Sequence, residues 1–283
     1  MGGLPPAAAA RDGARRWARR RARRGVDAAT RLLGRDPVIV FTLPKTGSSA
    51  VATSLRHLRV ARPVQQVHLL SDEGLARAHR SHAAGGRIGL PKLAQMEAAR
   101  QAIDAPGRRP AVITMARHPL TRAVSWFFQS WHQDFPWAAG GRWEPSQVDD
   151  LVARFHERLP VALEAGDRWF DDELAPVVGH DVFAEAFPRT EGWEVRALER
   201  CDLAIVRTED LDRTFGPVTH ALLGTTVPLR RVNVAEDKVY ARLHAELVSR
   251  LRLSSAEREA VVGTRHAAHF YTPDEVEARL PGD

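Results

Sequence analysis

The chain has 283 residues, 44% of them hydrophobic and 27% charged, an ordinary balance for a globular protein with a sizeable core. Its net charge of +6 would suit a nucleic-acid binder, but residues 1–35 hold ten arginines against Asp12 and Asp27. The remaining residues are therefore slightly acidic, and no specific nucleic-acid partner is expected.

Residues 1–13 are rich in glycine, proline and alanine and are expected to be disordered. The apolar run at 4–10 is too short and too proline-rich for the core of a secretory signal. Residues 14–33 can form a helix with Arg16, Arg20, Arg23 and Arg24 on one side and mostly alanine on the other. A flexible or helical basic arm at 1–35, solvated or docked, is favoured over a weak peripheral contact of residues 14–33 with an anionic membrane surface. Residues 36–283 show no repeat or linker and read as a single domain. Cys201, the only cysteine, excludes an intramolecular disulfide and a cysteine-based zinc site. No run approaches the roughly 18 apolar residues of a membrane span, so a cytoplasmic location is expected.

An apolar, β-branched run at 38–43 predicts a first strand, broken by Pro44-Lys45-Thr46-Gly47-Ser48-Ser49. Val51, Leu55 and Leu58 then recur at helical spacing, which predicts a helix over 49–58. A strand, a tight loop and a helix start form an anion cradle, because the N–H groups of the first turn lack intrahelical partners and the helix dipole favours negative charge. Ser48 and Ser49 add hydroxyls, and Lys45 adds a mobile cation. The segment departs from the nucleotide P-loop, Gly-x-x-x-x-Gly-Lys-Ser/Thr, since its lysine precedes its one glycine.

Further strands are predicted at 64–70, 111–116 and 202–206, with helices at 93–103, 119–131, 215–223, 237–251 and 255–268. This alternation predicts an α/β fold: a P-loop-like three-layer sandwich with a central parallel sheet and a helical, aromatic-rich insertion at about 126–193.

The strand at 111–116 runs into Arg117-His118-Pro119, with Pro119 suited to the first helical position and Leu120, Val124, Phe127 and Trp131 tracing a buried face. Arg117 thereby falls at the carboxyl end of a strand, where open α/β sheets bind ligands, and Ser125 lies further along the same helix. The planar arginine fork pairs two phosphate oxygens at once.

The pair Lys45-Thr46-Gly47-Ser48-Ser49 and Arg117-x-Pro119-x-x-Arg122-x-x-Ser125, in that order and after two strands, resembles the two cofactor-binding segments of PAPS-dependent sulfotransferases. Trp169-Phe170-Asp171-Asp172-Glu173-Leu174, Asp181-Val182-Phe183, Arg207-x-Glu209-Asp210-Leu211, Asn233-Val234-x-Glu236-Asp237-Lys238 and His269-Phe270-Tyr271-Thr272 resemble a bacterial branch of capsular polysaccharide synthesis proteins.

The resemblance implies that PAPS is the co-substrate, with its 5′-phosphosulfate on Lys45, Thr46, Gly47, Ser48 and Ser49 and its 3′-phosphate on Arg117 and Ser125. It implies sulfuryl transfer without a metal to a carbohydrate or glycolipid hydroxyl, Lys45 neutralising charge on the leaving group. His68, near the end of the second predicted strand, is the first choice of base, and Glu173 and Asp172 are the runners-up. His118 reads as a loop residue and Arg122 as a structural or solvent partner on its helix. Lys92, Arg207 and Lys238 read as surface or salt-bridged groups, or as cations reaching an anionic ligand. Two other readings stay open. One is a P-loop kinase, and the other is a non-catalytic sulfotransferase-like binder of PAP or of an anionic polymer.

Overall fold

The computed structural model describes residues 36–57, 62–129, 135, 137, 143–231 and 240–282. The basic arm, Leu58, Trp131 and the Asn233 to Lys238 motif lie outside the described residues.

Five strands, β1 (Val38–Phe41), β2 (Val64–Val67), β3 (Ala111–Ala116), β4 (Trp193–Ala197) and β5 (Asp202–Arg207), form one sheet in the order β2-β1-β3-β5-β4. The β2, β1, β3 and β5 strands run parallel, with Val38 beside both Val64 and Ala111. The apolar runs of β1, β3 and β5 follow from burial on both faces, whereas β2, at the sheet's edge, carries Gln65 and Gln66 between two valines. Val38, Val40, Ile113 and Val206 meet Val51, Leu55, Phe215 and Val218 on one side. Ile39, Phe41, Val112 and Ile205 meet Met96, Phe155, Phe170 and Phe270 on the other. The first layer comprises α1 (Ser48–His57) and, after a 3₁₀ turn at Thr208–Asp210, a helix over Leu211–Leu223. The second face carries the other helices that contribute core residues.

One correction concerns the sheet. The edge strand β4 is antiparallel to β5, pairing Trp193 with Val206 and Ala197 with Asp202. The turn between them is closed by the Leu198 N–H donating to the Cys201 carbonyl at 2.9 Å, and so short a connection can join only antiparallel neighbours. Because β4 is only half-buried, it lacks the apolar run that marks β1, β3 and β5.

Between β2 and β3 lie α2 (Asp72–Ala83) and α3 (Leu90–Asp104), and after β3 comes α4 (Pro119–Phe127). The insertion is mainly α5 (Pro145–Trp169), opened by a reciprocal Glu144–Gln147 capping box with Pro145 in its first turn. Val148, Leu151, Phe155, Leu159 and Leu163 give it a buried stripe at helical spacing. It passes without a break into a π-helical turn, Phe170–Leu174, and then α6 (Ala175–Val178). The carboxyl-terminal part adds α7 (Leu211–Leu223), introduced above, and α8 (Ala241–Arg250), α9 (Ser255–Val262), α10 (Arg265–Phe270) and α11 (Pro273–Glu277). The single helix expected at 255–268 is therefore two, divided at Gly263-Thr264, where Thr264 caps the second. Among the described residues no helix is long and apolar enough to cross a membrane.

Candidate functional site

In the parallel part of the sheet, β1 has β2 on one side and β3 on the other, so the chain reverses its winding between β1 and β3. A crevice opens at the carboxyl edge wherever winding reverses in this way. Lys45 follows β1, His68 follows β2, Arg117 follows β3 and Thr208 follows β5, so four loops deliver polar side chains to that one edge.

The β1–α1 loop is unusually shaped. Lys45 has φ 74° and Gly47 has φ 81°, so two residues in the left-handed region flank Thr46. A left-handed conformation is costly for lysine, at about 1–2 kcal/mol, and such strain persists only where the surroundings enforce it. The surroundings here are specific. The Thr46 hydroxyl donates to the Leu43 carbonyl at 2.8 Å, and the Thr208 hydroxyl meets the carbonyls of Thr46 and Ala116 at 2.8 and 2.9 Å. A Cβ on Gly47 would lie 3.3 Å from the Thr208 methyl, so the loop packs closely on β5 as well. The Gln66 amide donates to the Ser48 hydroxyl at 2.9 Å and to Ser49 at 3.3 Å, which leaves each hydroxyl its own proton to give.

Arg117 crosses the switch point. Its Nη1 donates to the Lys45 carbonyl at 2.8 Å, tying the β3 end to the strained loop. Burial pushes its guanidinium below its usual range, opposed by the charge of Glu209 and by Tyr271. Its own carbonyl accepts from His266 Nε2 at 3.0 Å. The next residue is held equally firmly: the His118 N–H donates to Glu209 Oε1 at 2.9 Å, and Tyr271 donates its hydroxyl to Glu209 Oε2 at 2.8 Å. His118 lies in the loop between β3 and α4, as expected, but is fully buried there and hydrogen-bonds the Val276 carbonyl, so it also packs in the core. Ser125 sits half-buried on α4, two turns past Arg117, and among the described residues its hydroxyl has no hydrogen-bond partner.

His68 lies just beyond β2. Its Nδ1 is 2.7 Å from the Thr42 carbonyl, which can only accept, so Nδ1 carries the proton and Nε2 keeps its lone pair. Burial lowers its pKa below 6.5; the Thr42 bond opposes this, and the charges of Lys92 and Lys45 add to it. A neutral imidazole with a free Nε2 beside two cations has the protonation state of a general base.

Lys92 corrects the surface reading. Its ammonium reaches back from α3 to the Gln66 carbonyl, and burial draws its pKa down to about 8. Glu173 is also corrected as an alternative base. It is 2% exposed and accepts from the Leu70 and Ser71 N–H groups at 2.9 and 3.1 Å and from Arg77 at 2.9 Å. A carboxylate so fully engaged is a fastener of the β2–α2 turn. Asp172 is 3.4 Å from Arg168, half-exposed at the surface. Arg207 takes the salt-bridged alternative, its Nη1 lying 2.8 Å from both Glu275 oxygens and its Nε on Asp210.

Residues 148–272 match the model of a family described as "Putative capsular polysaccharide synthesis protein". The matched stretch contains Trp169 and Glu173, which fasten the end of β2, and Thr208, Glu209, His266 and Tyr271, which fasten the loops around Lys45 and Arg117. The loops themselves, around Lys45 and Arg117, lie outside it. No curated protein and no solved structure matches the chain.

Sequence reasoning missed Gln66, Thr208 and the bracing pair Glu209–Tyr271. Gln66 had a signal, as one of two glutamines between the valines of β2. Thr208 also had one, because it occupies the carboxyl end of β5 as Arg117 does on β3.

Proposed function

We propose that the chain transfers a sulfuryl group from PAPS to a carbohydrate hydroxyl, using a P-loop-like loop and fold as its anion cradle. The observation that carries the reading is the Arg117 guanidinium bonded to the Lys45 carbonyl across the β1/β3 switch point, with neutral His68 on the flank. Two anion grips so joined suit a ligand with two separated anionic groups, as PAPS has in its 5′-phosphosulfate and 3′-phosphate. The family description favours polysaccharide biosynthesis as the setting and a carbohydrate as the acceptor.

In this reading Lys45, the Ser48 and Ser49 hydroxyls and the first-turn N–H groups of α1 bind the phosphosulfate, and Arg117 and Ser125 bind the 3′-phosphate. An acceptor oxygen attacks sulfur, the bond from sulfur to the bridging phosphate oxygen breaks, and its electron pair leaves with PAP. His68 Nε2 takes the acceptor proton, and Lys45 compensates the charge that builds on the leaving oxygen. Gln66 and Thr208 fix the loop so that its donors need not reorganise during the reaction.

Calorimetric titration of the wild-type chain with PAP tests the proposal. Binding is expected, with Lys45→Ala and Arg117→Ala each weakening it by about ten-fold or more, the usual weight of a charge-assisted hydrogen bond. A folded wild-type protein that does not bind PAP would disprove the sulfotransferase reading.

A further inference from the structure

Beside the β1–α1 loop, the surface opens into a cleft of about 430 Å³ bounded by Leu43 and Pro44, Trp126 and Trp169, and a balanced set of charges: three arginines, Arg77, Arg122 and Arg168, and three carboxylates, Glu164, Asp172 and Glu173. The three arginines are not equivalent. Arg77 pairs with Glu173 at 2.9 Å, and Arg168 lies 3.4 Å from both Glu164 and Asp172. Arg122 is only 3% exposed, yet among the described residues it has no carboxylate within ion-pair distance. Its one hydrogen bond there goes from Nη2 to the Ala162 carbonyl.

The nearest compensating charge is committed elsewhere. Asp167 accepts the backbone N–H groups of Arg265 and His266 at 3.0 and 2.9 Å, where it serves the start of α10. Arg117 adds a like charge, and burial together with that charge brings the Arg122 guanidinium down to about 10. A buried cation without a counter-ion is expensive to keep, and such groups mark places where a ligand supplies the missing charge. The fold makes room for it deliberately. A Cβ on Gly166 would stand 3.0 Å from Arg122 Nη2, so α5 carries a helix-weakening glycine where the guanidinium lies against it.

The cleft is also placed for an acceptor. Pro44 immediately precedes Lys45, and Trp169 Nε1 donates to the His68 carbonyl at 3.0 Å, so one wall of the cleft touches the residue assigned as base. Half-buried Trp126 offers an aromatic face of the kind that packs against sugar rings.

We propose that this cleft is the acceptor subsite and that it takes an acidic saccharide, whose carboxylate pairs with Arg122 while a sugar ring packs on Trp126. The inference rests on the sulfuryl-transfer reading for the word acceptor; the saccharide site itself stands on the cleft.

The test uses the full chain and two probes: a tetrasaccharide of alternating glucuronate and N-acetylglucosamine, and the same tetrasaccharide with its carboxyls reduced to alcohols. Each is titrated calorimetrically with and without saturating PAP. The acidic probe is expected to bind about ten-fold or more tighter than the reduced one. Arg122→Gln should erase that preference and leave PAP affinity within about three-fold. Arg168→Ala, which removes an arginine that already has partners, should keep the preference. Trp126→Ala should weaken both probes alike, and it serves as the second variant if Arg122→Gln does not fold. Equal affinity for the two probes, absence of binding by either, a preference that survives Arg122→Gln, one lost in Arg168→Ala, or a Trp126→Ala chain that binds both probes as wild type does would overturn the proposal. The two readings fail separately. An acidic preference without PAP binding removes sulfuryl transfer and keeps the saccharide site, whereas PAP binding without the preference removes only the subsite.

Discussion

Three neighbours and burial set the protonation state of His68. The Thr42 carbonyl fixes the tautomer, burial disfavours the imidazolium, and Lys92 and Lys45 disfavour it further. The acid limb of kcat/KM should therefore have its midpoint below pH 6.5, since protonation disables a base and here comes late as pH falls. Lys92→Met removes one of the opposing charges and should move that midpoint to higher pH, whereas His68→Ala should lower turnover by about 10²- to 10⁴-fold with PAP affinity intact. Turnover that survives His68→Ala, or a limb that stays put in Lys92→Met, would remove His68 from the mechanism. At this scale Lys45 and Arg117 are legible in the sequence because each is a cation directly after an apolar strand, and that position alone implies the sheet's carboxyl edge. Lys92 is not legible. Its ammonium reaches 26 residues back along the chain to the Gln66 carbonyl, so nothing in its local sequence separates it from a surface lysine.

Among the elements, the π-helical turn Phe170–Leu174 has the clearest consequence. A π turn inserts an extra residue and re-aims the helix beyond it, and such turns concentrate at functional sites. Here Trp169 at its start holds the His68 carbonyl, and Glu173 within it holds the Leu70 and Ser71 N–H groups, so one stretch of helix clamps the end of β2 twice. Removing Glu173 strands two buried N–H groups and frees Arg77. Glu173→Ala should therefore cost about 3 kcal/mol, against about 0.5 kcal/mol or less for surface Asp172→Ala. Urea unfolding of both variants measures the difference, and equal costs would refute the clamp. The sequence marks 169–174 only as an acidic patch after two aromatics, the pattern of an ordinary helix start, because the partners of Glu173 lie about a hundred residues earlier. The same limit explains β4, where pairing with β5 supplies the strand order that its half-buried side chains do not announce.

Across the molecule, the carboxyl-terminal helices brace the Arg117–His118 segment through groups that must stay neutral. His266 is 3% exposed and His118 fully buried; each hydrogen-bonds a backbone carbonyl through Nε2, and among the described residues each leaves Nδ1 without a partner. Protonation would place a second N–H and a charge in that dry site. Burial, and then nearby Arg122 for His266, draws its pKa down to about 3; burial, opposed by the Val276 bond, draws that of His118 down to about 4. Between about pH 4 and 6.5 the unfolded chain thus binds more protons than the folded one, so stability falls as pH falls through that window and is level above it. Each histidine contributes a slope of about 1.4 kcal/mol per pH unit. Urea midpoints measured from pH 7 to pH 4.5 should follow this decline, and His266→Asn should reduce the slope by about one proton. A slope that His266→Asn leaves unchanged would mean that the acid sensitivity arises elsewhere. Because the His266 bond holds the Arg117 carbonyl and the folded chain keeps His266 neutral down to about pH 3, the PAP affinity of the folded protein should survive the loss of stability between about pH 6.5 and 4 and should fall only where His266 itself takes up its proton.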